Sequence, residues 1–542
     1  MNIPDRALLE WLDEPSAERG LHFADAGDGW EFHSYASLAA LTLRTATALR
    51  ERGVRRDDVV VVVQRSSPGF VAGLFGAFAA GATACSIPPP FAFQRADEYA
   101  THVSHLFDTA RPALTVCDDE SLEHVRKICA GAGLPEPVLF DELVTGAAVG
   151  TPEEPADIAL LQFTSGSSGY SRGVRVTEKA LRANLTAMRR WLDWTPEFPG
   201  IAWLPVHHDM GLIGCLLNIV TTGCDGWMMQ PQDFIRSPLR YLRCISEQRV
   251  GLAAVPNFGL AYILRRVRPA DLTGLRFDSL RSVILGAERI DPDVLDAIER
   301  LLGPHGFDRR ALLPAYGGAE ATLAVTGLPL GEGWSAAAPT GGDTALAGET
   351  RVVGCGRPLE GLRVSVVDDD GDPVPDGTVG EIVVAGTSVA NSYAGDASTA
   401  SGTSIGGGTL RSGDAGFLHD GQLFVIGRLG DGLKVRGKMV FAESLEAELH
   451  ARGIPQRRAA VLLGVRDGAP TGAVVLELPQ PGWGRIAHQV LTEWLAEAEL
   501  VKITLPRGAL AVTSSGKPRR RVMWAGMCGG TLDGKVEPLT PA

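Results

Sequence analysis

Leu161-Gln162-Phe163-Thr164-Ser165-Gly166-Ser167-Ser168-Gly169-Tyr170-Ser171-Arg172-Gly173-Val174 is the stretch that decides how this chain is read. An apolar strand end runs into Gly, Ser and Thr and closes on a basic residue. Glycines let backbone N–H groups converge on an anion, and hydroxyls add further donors. No Gly-Lys-Ser/Thr follows at Walker A spacing, so this is not that loop. A flexible surface linker has a similar composition. Such a linker seldom joins an apolar strand to a helix, and Glu178 to Trp191 carry helical spacing directly after it. The segment therefore reads as a phosphate-binding loop.

Working outward, the first half alternates helix and strand patterns. Tyr35 to Arg52 and Ser67 to Ala80 have helical spacing. Between them Val59 to Val63 is a β-branched run suited to a strand buried on both faces. Ala113 to Cys117, Ile201 to Leu204, Leu252 to Val255 and Ser282 to Leu285 are further short strands. This is the α/β grammar of parallel sheets with crossover helices. From about residue 350 the pattern becomes β-rich. Val364 to Asp368, Gly380 to Ala385 and Gly421 to Ile426 are separated by Asp/Gly/Pro turns. Ala394 to Gly408 reads as an exposed loop. A fresh unit follows residue 432, with a helix over Ser444 to Ala451 and a strand over Ala459 to Gly464. Gly529 to Ala542 is expected to fray.

Composition limits the function classes. A chain of 542 residues exceeds what one core usually serves, so at least two domains are expected. The net charge is -13 with no basic block, which disfavours nucleic acid and anionic membrane as partners. The apolar stretches are too short or too Gly/Ala-rich for a membrane span. The start carries no secretory pattern, so a cytoplasmic protein is expected. None of the eight cysteines has Cys-x-x-Cys spacing, which gives no support to a zinc or redox motif.

The loop resembles the phosphate loop of the adenylate-forming superfamily, which holds acyl-CoA synthetases, luciferases and nonribosomal adenylation domains. Ser171 stands where that family has Pro, and Arg172 where it has Lys. The resemblance continues in order along the chain. Pro314-Ala315-Tyr316-Gly317-Gly318-Ala319-Glu320 resembles its Tyr-Gly-x-x-Glu segment. Arg411-Ser412-Gly413-Asp414 resembles its Arg/Lys-Thr-Gly-Asp motif. Gly427-Arg428 with Asp431 resembles the hinge, and Thr513-Ser514-Ser515-Gly516-Lys517 the C-terminal lysine motif. Trp203-Leu204-Pro205-Val206-His207-His208-Asp209-Met210-Gly211-Leu212-Ile213-Gly214 is similar to a segment of one branch, the fatty acyl-AMP ligases, with His207 where Tyr is usual. Val255-Pro256-Asn257-Phe258, Gly286-Ala287-Glu288 and Val353 to Pro358 resemble that branch too. Val325 to Arg351 is shorter than the insertion that disfavours CoA in those ligases.

The resemblance implies an α/β fold. A large N-terminal domain over 1–428, of parallel-sheet subdomains plus a β-rich one, would lead through a hinge at 429–432. A small mobile α+β domain over 433–525 and a tail over 526–542 would follow. It implies that ATP and a carboxylic acid give an acyl-AMP, with transfer to the phosphopantetheine thiol of an acyl carrier protein. CoA, an amine or another small nucleophile is the alternative acceptor, and a non-catalytic nucleotide binder the alternative function. By resemblance, Thr164, Ser165, Gly166, Ser167, Ser168, Gly169, Gly286, Ala287, Glu288, Ala315, Tyr316, Gly317, Asp414 and Arg428 bind the nucleotide, and Glu320 holds Mg²⁺. Lys517, His208 and Arg172 serve catalysis, Asp431 is the hinge, and His207, Asn257 and Phe258 border the acyl pocket. Adjacent side chains diverge, which argues against His207 and His208 as a metal pair.

Overall fold

The structure is a computed structural model. It describes residues 6–90, 96–164, 171–341, 351–395, 402–435, 438–495, 498–513 and 516–540. Local sequence explains the elements that carry the site. The five valines Val59–Val63 form a strand at the centre of a sheet, with Thr83–Ser86 and Leu114–Cys117 parallel on either side. The helix Tyr35–Glu51 starts where Ser34 Oγ accepts the N–H of Ser37. The helix Pro68–Ala79 starts where Ser67 accepts the N–H of Phe70. Such caps satisfy donors that the first turn leaves unpaired. A Cβ on Gly76 would press against Thr45, so the glycine lets these two helices approach closely.

Among the described residues this sheet has seven strands, and Ile158–Phe163 lies beside Thr83–Ser86 in it. Gly173–Thr177 returns antiparallel to Ile158–Phe163, and the helix Glu178–Trp191 follows, capped by Thr177. A second sheet has nine described strands. At its centre Gly226–Met228, Gly200–Ala202, Leu252–Ala254, Ser282–Leu285 and Leu312–Gly317 run parallel. A third, antiparallel sheet comprises Leu362–Val367, Gly380–Gly386, Thr409–His419, Ser404–Gly406 and Gln422–Arg428. One large apolar core joins these layers. The C-terminal unit has two apolar clusters of its own, one on each face of a sheet with four described strands. No described helix is long and apolar enough to cross a membrane. All eight cysteines are free, and Cys528 alone is exposed.

Two expectations need correction. The described part of Ala394 to Gly408 is not all loop, because Ser404–Gly406 pairs with Thr409–His419. The stretch from Gly529 does not simply fray. Lys535–Pro538 adds an antiparallel edge strand to Glu499–Leu505, and Glu537 holds Lys502 and Lys535 at 2.7 and 2.6 Å. Low apolar content misled here, because an edge strand is held by backbone pairing and tolerates charges on its open face.

Candidate active site

Four neighbouring parallel strands deliver residues from their carboxyl ends, the usual place for a site in an open α/β sheet. Gly200–Ala202 leads to His207 and His208, and Leu252–Ala254 to Asn257 and Phe258. Ser282–Leu285 leads to Gly286, Ala287 and Glu288, and Leu312–Gly317 ends in Ala315, Tyr316 and Gly317. In the other sheet Ile158–Phe163 ends at Thr164. Ser165, Gly166, Ser167, Ser168 and Gly169 lie outside the described residues, as do Ser514 and Ser515.

The loop's two ends are tied together. The Thr164 N–H donates to the Arg172 carbonyl at 2.9 Å, and the Arg172 N–H to Thr164 Oγ1 at 3.0 Å. The Arg172 guanidinium pairs with Glu320 Oε1 at 3.1 Å and lies 4.0 Å over the ring of Tyr393. The Tyr393 hydroxyl donates to the same Glu320 oxygen at 3.0 Å. Glu320 is thus a hard oxygen donor beside Arg172, the residue that closes the loop. That chemistry fits Mg²⁺, which takes one or two carboxylates together with phosphate oxygens.

A second cluster sits beside it. Tyr316 OH donates to Asp414 Oδ2 at 2.7 Å, and Arg428 Nε meets Asp414 Oδ1 at 2.8 Å. The Asp414 charge raises the Arg428 pKa against the opposing effect of burial. A Cβ on Gly317 would overlap the Leu323 carbonyl, so the glycine of the Tyr-Gly pair is required by backbone approach. Ala287 and Thr322 both hold positive φ, 67° and 71°. Strained backbone of this kind persists where the surrounding structure enforces it, often at functional sites. Thr322 is so enforced: it is fully buried, and its hydroxyl donates to the Ser388 carbonyl at 2.7 Å.

Lys517 joins this group from the far end of the chain. Its turn is closed by the Thr513 N–H to the Lys517 carbonyl at 2.8 Å and by the Lys517 N–H to Thr513 Oγ1 at 3.1 Å. Burial, and then the Arg428 charge, hold its ammonium below the ordinary lysine range, while Glu288, Asp209 and Asp414 pull the other way. Burial also raises the carboxyl pKa values of Glu288 and Asp209, and Lys517 opposes both shifts. The lysine therefore stands among three carboxylates and one arginine of the large N-terminal part. A sign follows for pH. An ammonium with a lowered pKa loses its charge earlier as pH rises. The alkaline limb of kcat/KM for acid activation should then fall below the roughly 10.5 of a free lysine. The residual activity of Lys517→Arg should lack that limb, and a pH–rate series on both proteins checks it.

The other expected residues are placed as follows. His207 is buried, and its carbonyl accepts from Gln162 Nε2 at 3.0 Å. The His207 and His208 rings do not diverge as expected. They sit 4.8 Å apart, tilted by 47°, because a tight turn ahead of the π-helical segment Met210–Leu217 brings the His208 N–H to the Pro205 carbonyl. Asn257 is fully buried and its Oδ1 accepts the Asp291 N–H at 3.0 Å, so it braces the loop after Glu288. The Phe258 N–H donates to Glu288 Oε1 at 2.6 Å, and the Phe258 ring packs edge-on against Trp203. Asp431 is buried, and Arg520 and Arg521 approach its carboxylate at 3.0 and 3.9 Å. Sequence reasoning passed over Tyr393, Asp209 and Arg457 as site residues. Asp209 had a signal, since it follows His207-His208 inside a quoted segment. Tyr393 and Arg457 had none, as each is an isolated residue brought in by the fold.

The AMP-binding enzyme family model matches residues 12–394. A putative acyl-CoA synthetase of Caulobacter vibrioides is 29% identical over 81% of this chain and 81% of its own length. The medium-chain fatty acid–acyl-carrier-protein ligase JamA of Moorena producens is 28% identical, covering 92% of this chain and 90% of itself. A structure solved in a study of fatty acyl-adenylate ligases from E. coli and L. pneumophila matches with a TM-score of 0.87 and 26% identity, over 98% of both chains.

Proposed function

This chain belongs to the AMP-binding enzyme family, and from that membership we propose that it activates a fatty or related acyl acid and passes it to a carrier-protein thiol. Membership makes it an adenylate-forming ligase that uses ATP. The observation that best supports acid activation is that Lys517 lies within the field of Glu288, Asp209, Asp414 and Arg428.

In this reading the acid's carboxylate oxygen attacks the α-phosphorus of ATP, and the bond to pyrophosphate breaks. Two anions must approach, so fixed positive charge is the main requirement. Lys517 would lie between the carboxylate and the α-phosphate. Arg172 and the backbone donors of the loop Thr164 to Gly169 would hold the phosphates. Asp414 would accept the ribose hydroxyls, with Arg428 and Tyr316 fixing its orientation. Glu320 would hold Mg²⁺, which would steady the pyrophosphate oxygens when bound. The mixed anhydride hydrolyses easily, so the site must exclude water. The segment after 432 would then rotate about Asp431 to admit the acceptor, and His208 would gate the acyl side.

The fatty acid reading draws on what the relatives are called, and the carrier protein on JamA in particular. Transfer to CoA is the second reading, favoured by the acyl-CoA synthetase relative and by the short stretch from Val325 to Arg351. A panel of acids with ATP, followed by chromatography and mass spectrometry, tests the first step. AMP, pyrophosphate and acyl-AMP are expected, and ADP as the main product would overturn it. Adding phosphopantetheinyl carrier protein or CoA in parallel tests the second. Faster acylation of the carrier is expected, and equal or faster acyl-CoA formation would reject it.

A further inference from the structure

We propose that Arg289 and Arg457 form a reciprocal latch between the two parts of the chain, and that this latch positions Lys517 for acid activation. The inference deepens the two-part reading above and rests on it. The two arginines reach across the same interface in opposite directions.

Arg289 directly follows Glu288 in the large N-terminal part. Its Nη1 donates to Ser444 Oγ at 3.3 Å, on the helix Ala442–Ala451 of the C-terminal part. That helix also carries Glu443 and Glu446, whose charges attract Arg289. Both carboxylates are gathered by Arg520, at 2.8 Å from Glu443 and 2.6 Å from Glu446, and the same guanidinium holds Asp431 at 3.0 Å. Three carboxylates thus surround Arg520. Half-buried acidic groups in such excess need further positive charge nearby. Arg521, 3.9 Å from Asp431, supplies part of it, and Arg289 supplies more from across the interface.

Arg457 reaches the other way. Its guanidinium lies 3.9 Å over the Phe258 ring, and Glu288 attracts it. It also abuts Gly516, where a Cβ would lie 2.9 Å from Nη2. Arg457 therefore stands between the aromatic wall of the acyl side and the turn that presents Lys517. A planar guanidinium can stack on a ring and abut a backbone turn at once. Among the described residues neither arginine contacts those expected around the α-phosphate except through Glu288, so both are positioning residues. Both contacts form together only when the C-terminal part is seated, and rotation about Asp431 would break both.

The test measures seating and chemistry separately. One dye goes on the exposed Cys528 and another on a cysteine introduced at exposed Asp28, and energy transfer reports the closed population. Single-turnover formation of dodecanoyl-AMP from dodecanoate and ATP reports the first half-reaction. Reaction of supplied dodecanoyl-AMP with pantetheine reports the second. Arg289→Ala and Arg457→Ala should each lower the closed population and slow the first half-reaction about tenfold, leaving the second unchanged or faster. Arg289→Lys should recover most of the loss and Arg457→Lys less, because a lysine cannot stack as a plane. An unchanged closed population in both alanine variants would overturn the latch. So would an equal slowing of both halves, which a general structural role would give. If an alanine variant melts far below the parent protein, Arg289→Gln and Arg457→Gln replace it with the same readouts. A parent protein that forms no acyl-AMP from any fatty acid would defeat the proposed function, while the energy-transfer result would still decide the latch.

Discussion

Lys517→Ala should lose most acyl-AMP formation while leaving transfer from supplied acyl-AMP nearly intact. The lysine sits among Glu288, Asp209, Asp414 and Arg428, where a bound carboxylate and α-phosphate would meet. A charge-assisted contact that strengthens in the transition state is commonly worth about 3 to 4 kcal/mol, or a rate factor on the order of hundreds. Transfer would take place after the C-terminal part has rotated, with Lys517 carried away from the thioester chemistry. A solvated lysine on a loop would instead show an effect within about 0.5 kcal/mol. Single-turnover rates of each half-reaction on the folded variant separate the cases. An unchanged activation rate would remove Lys517 from the site, and equal losses in both halves would reject the rotation.

Asp414→Ala should raise the KM for ATP far more than it lowers kcat. The carboxylate is fixed on both oxygens, by Tyr316 OH at 2.7 Å and Arg428 Nε at 2.8 Å, and so is oriented before a ribose arrives. Hydrogen bonds to an ionised acceptor contribute about 1.5 to 3 kcal/mol each, which corresponds to a KM change on the order of tenfold to a hundredfold. Truncation also leaves Arg428 half-buried beside Lys517 without its main counter-charge, so some stability is lost as well. Ribose-modified ATP gives the specific check. The parent protein should discriminate strongly against ATP lacking its ribose hydroxyls, and Asp414→Ala should barely discriminate at all. Discrimination that survives the substitution would place the ribose elsewhere.

Much of the architecture could be read before any coordinates. Val59–Val63 and Ser282–Leu285 form strands over the expected residues, and Glu178–Trp191 a helix, because period and β-branching are local properties. The order of the quoted segments, from Thr164 to Lys517, carried the resemblance to the family, since several motifs in one order are hard to match by chance. Tertiary structure alone decided the rest. Only the fold brings Tyr393 under Arg172, or sets Arg457 between Phe258 and Gly516. Lone residues carry no pattern, and contacts across more than a hundred positions leave no periodic trace in one sequence. The strand Lys535–Pro538 was hidden for a related reason: it exists because Glu499–Leu505 presents an unpaired edge to it. The resemblance named Asp431 as the hinge but gave no partner for its carboxylate. The fold surrounds it with Arg520, whose position depends on how the helix Arg520–Cys528 returns to the interface. What a residue can do chemically is written in its type. What it does depends on which distant side chains the packed core sets beside it.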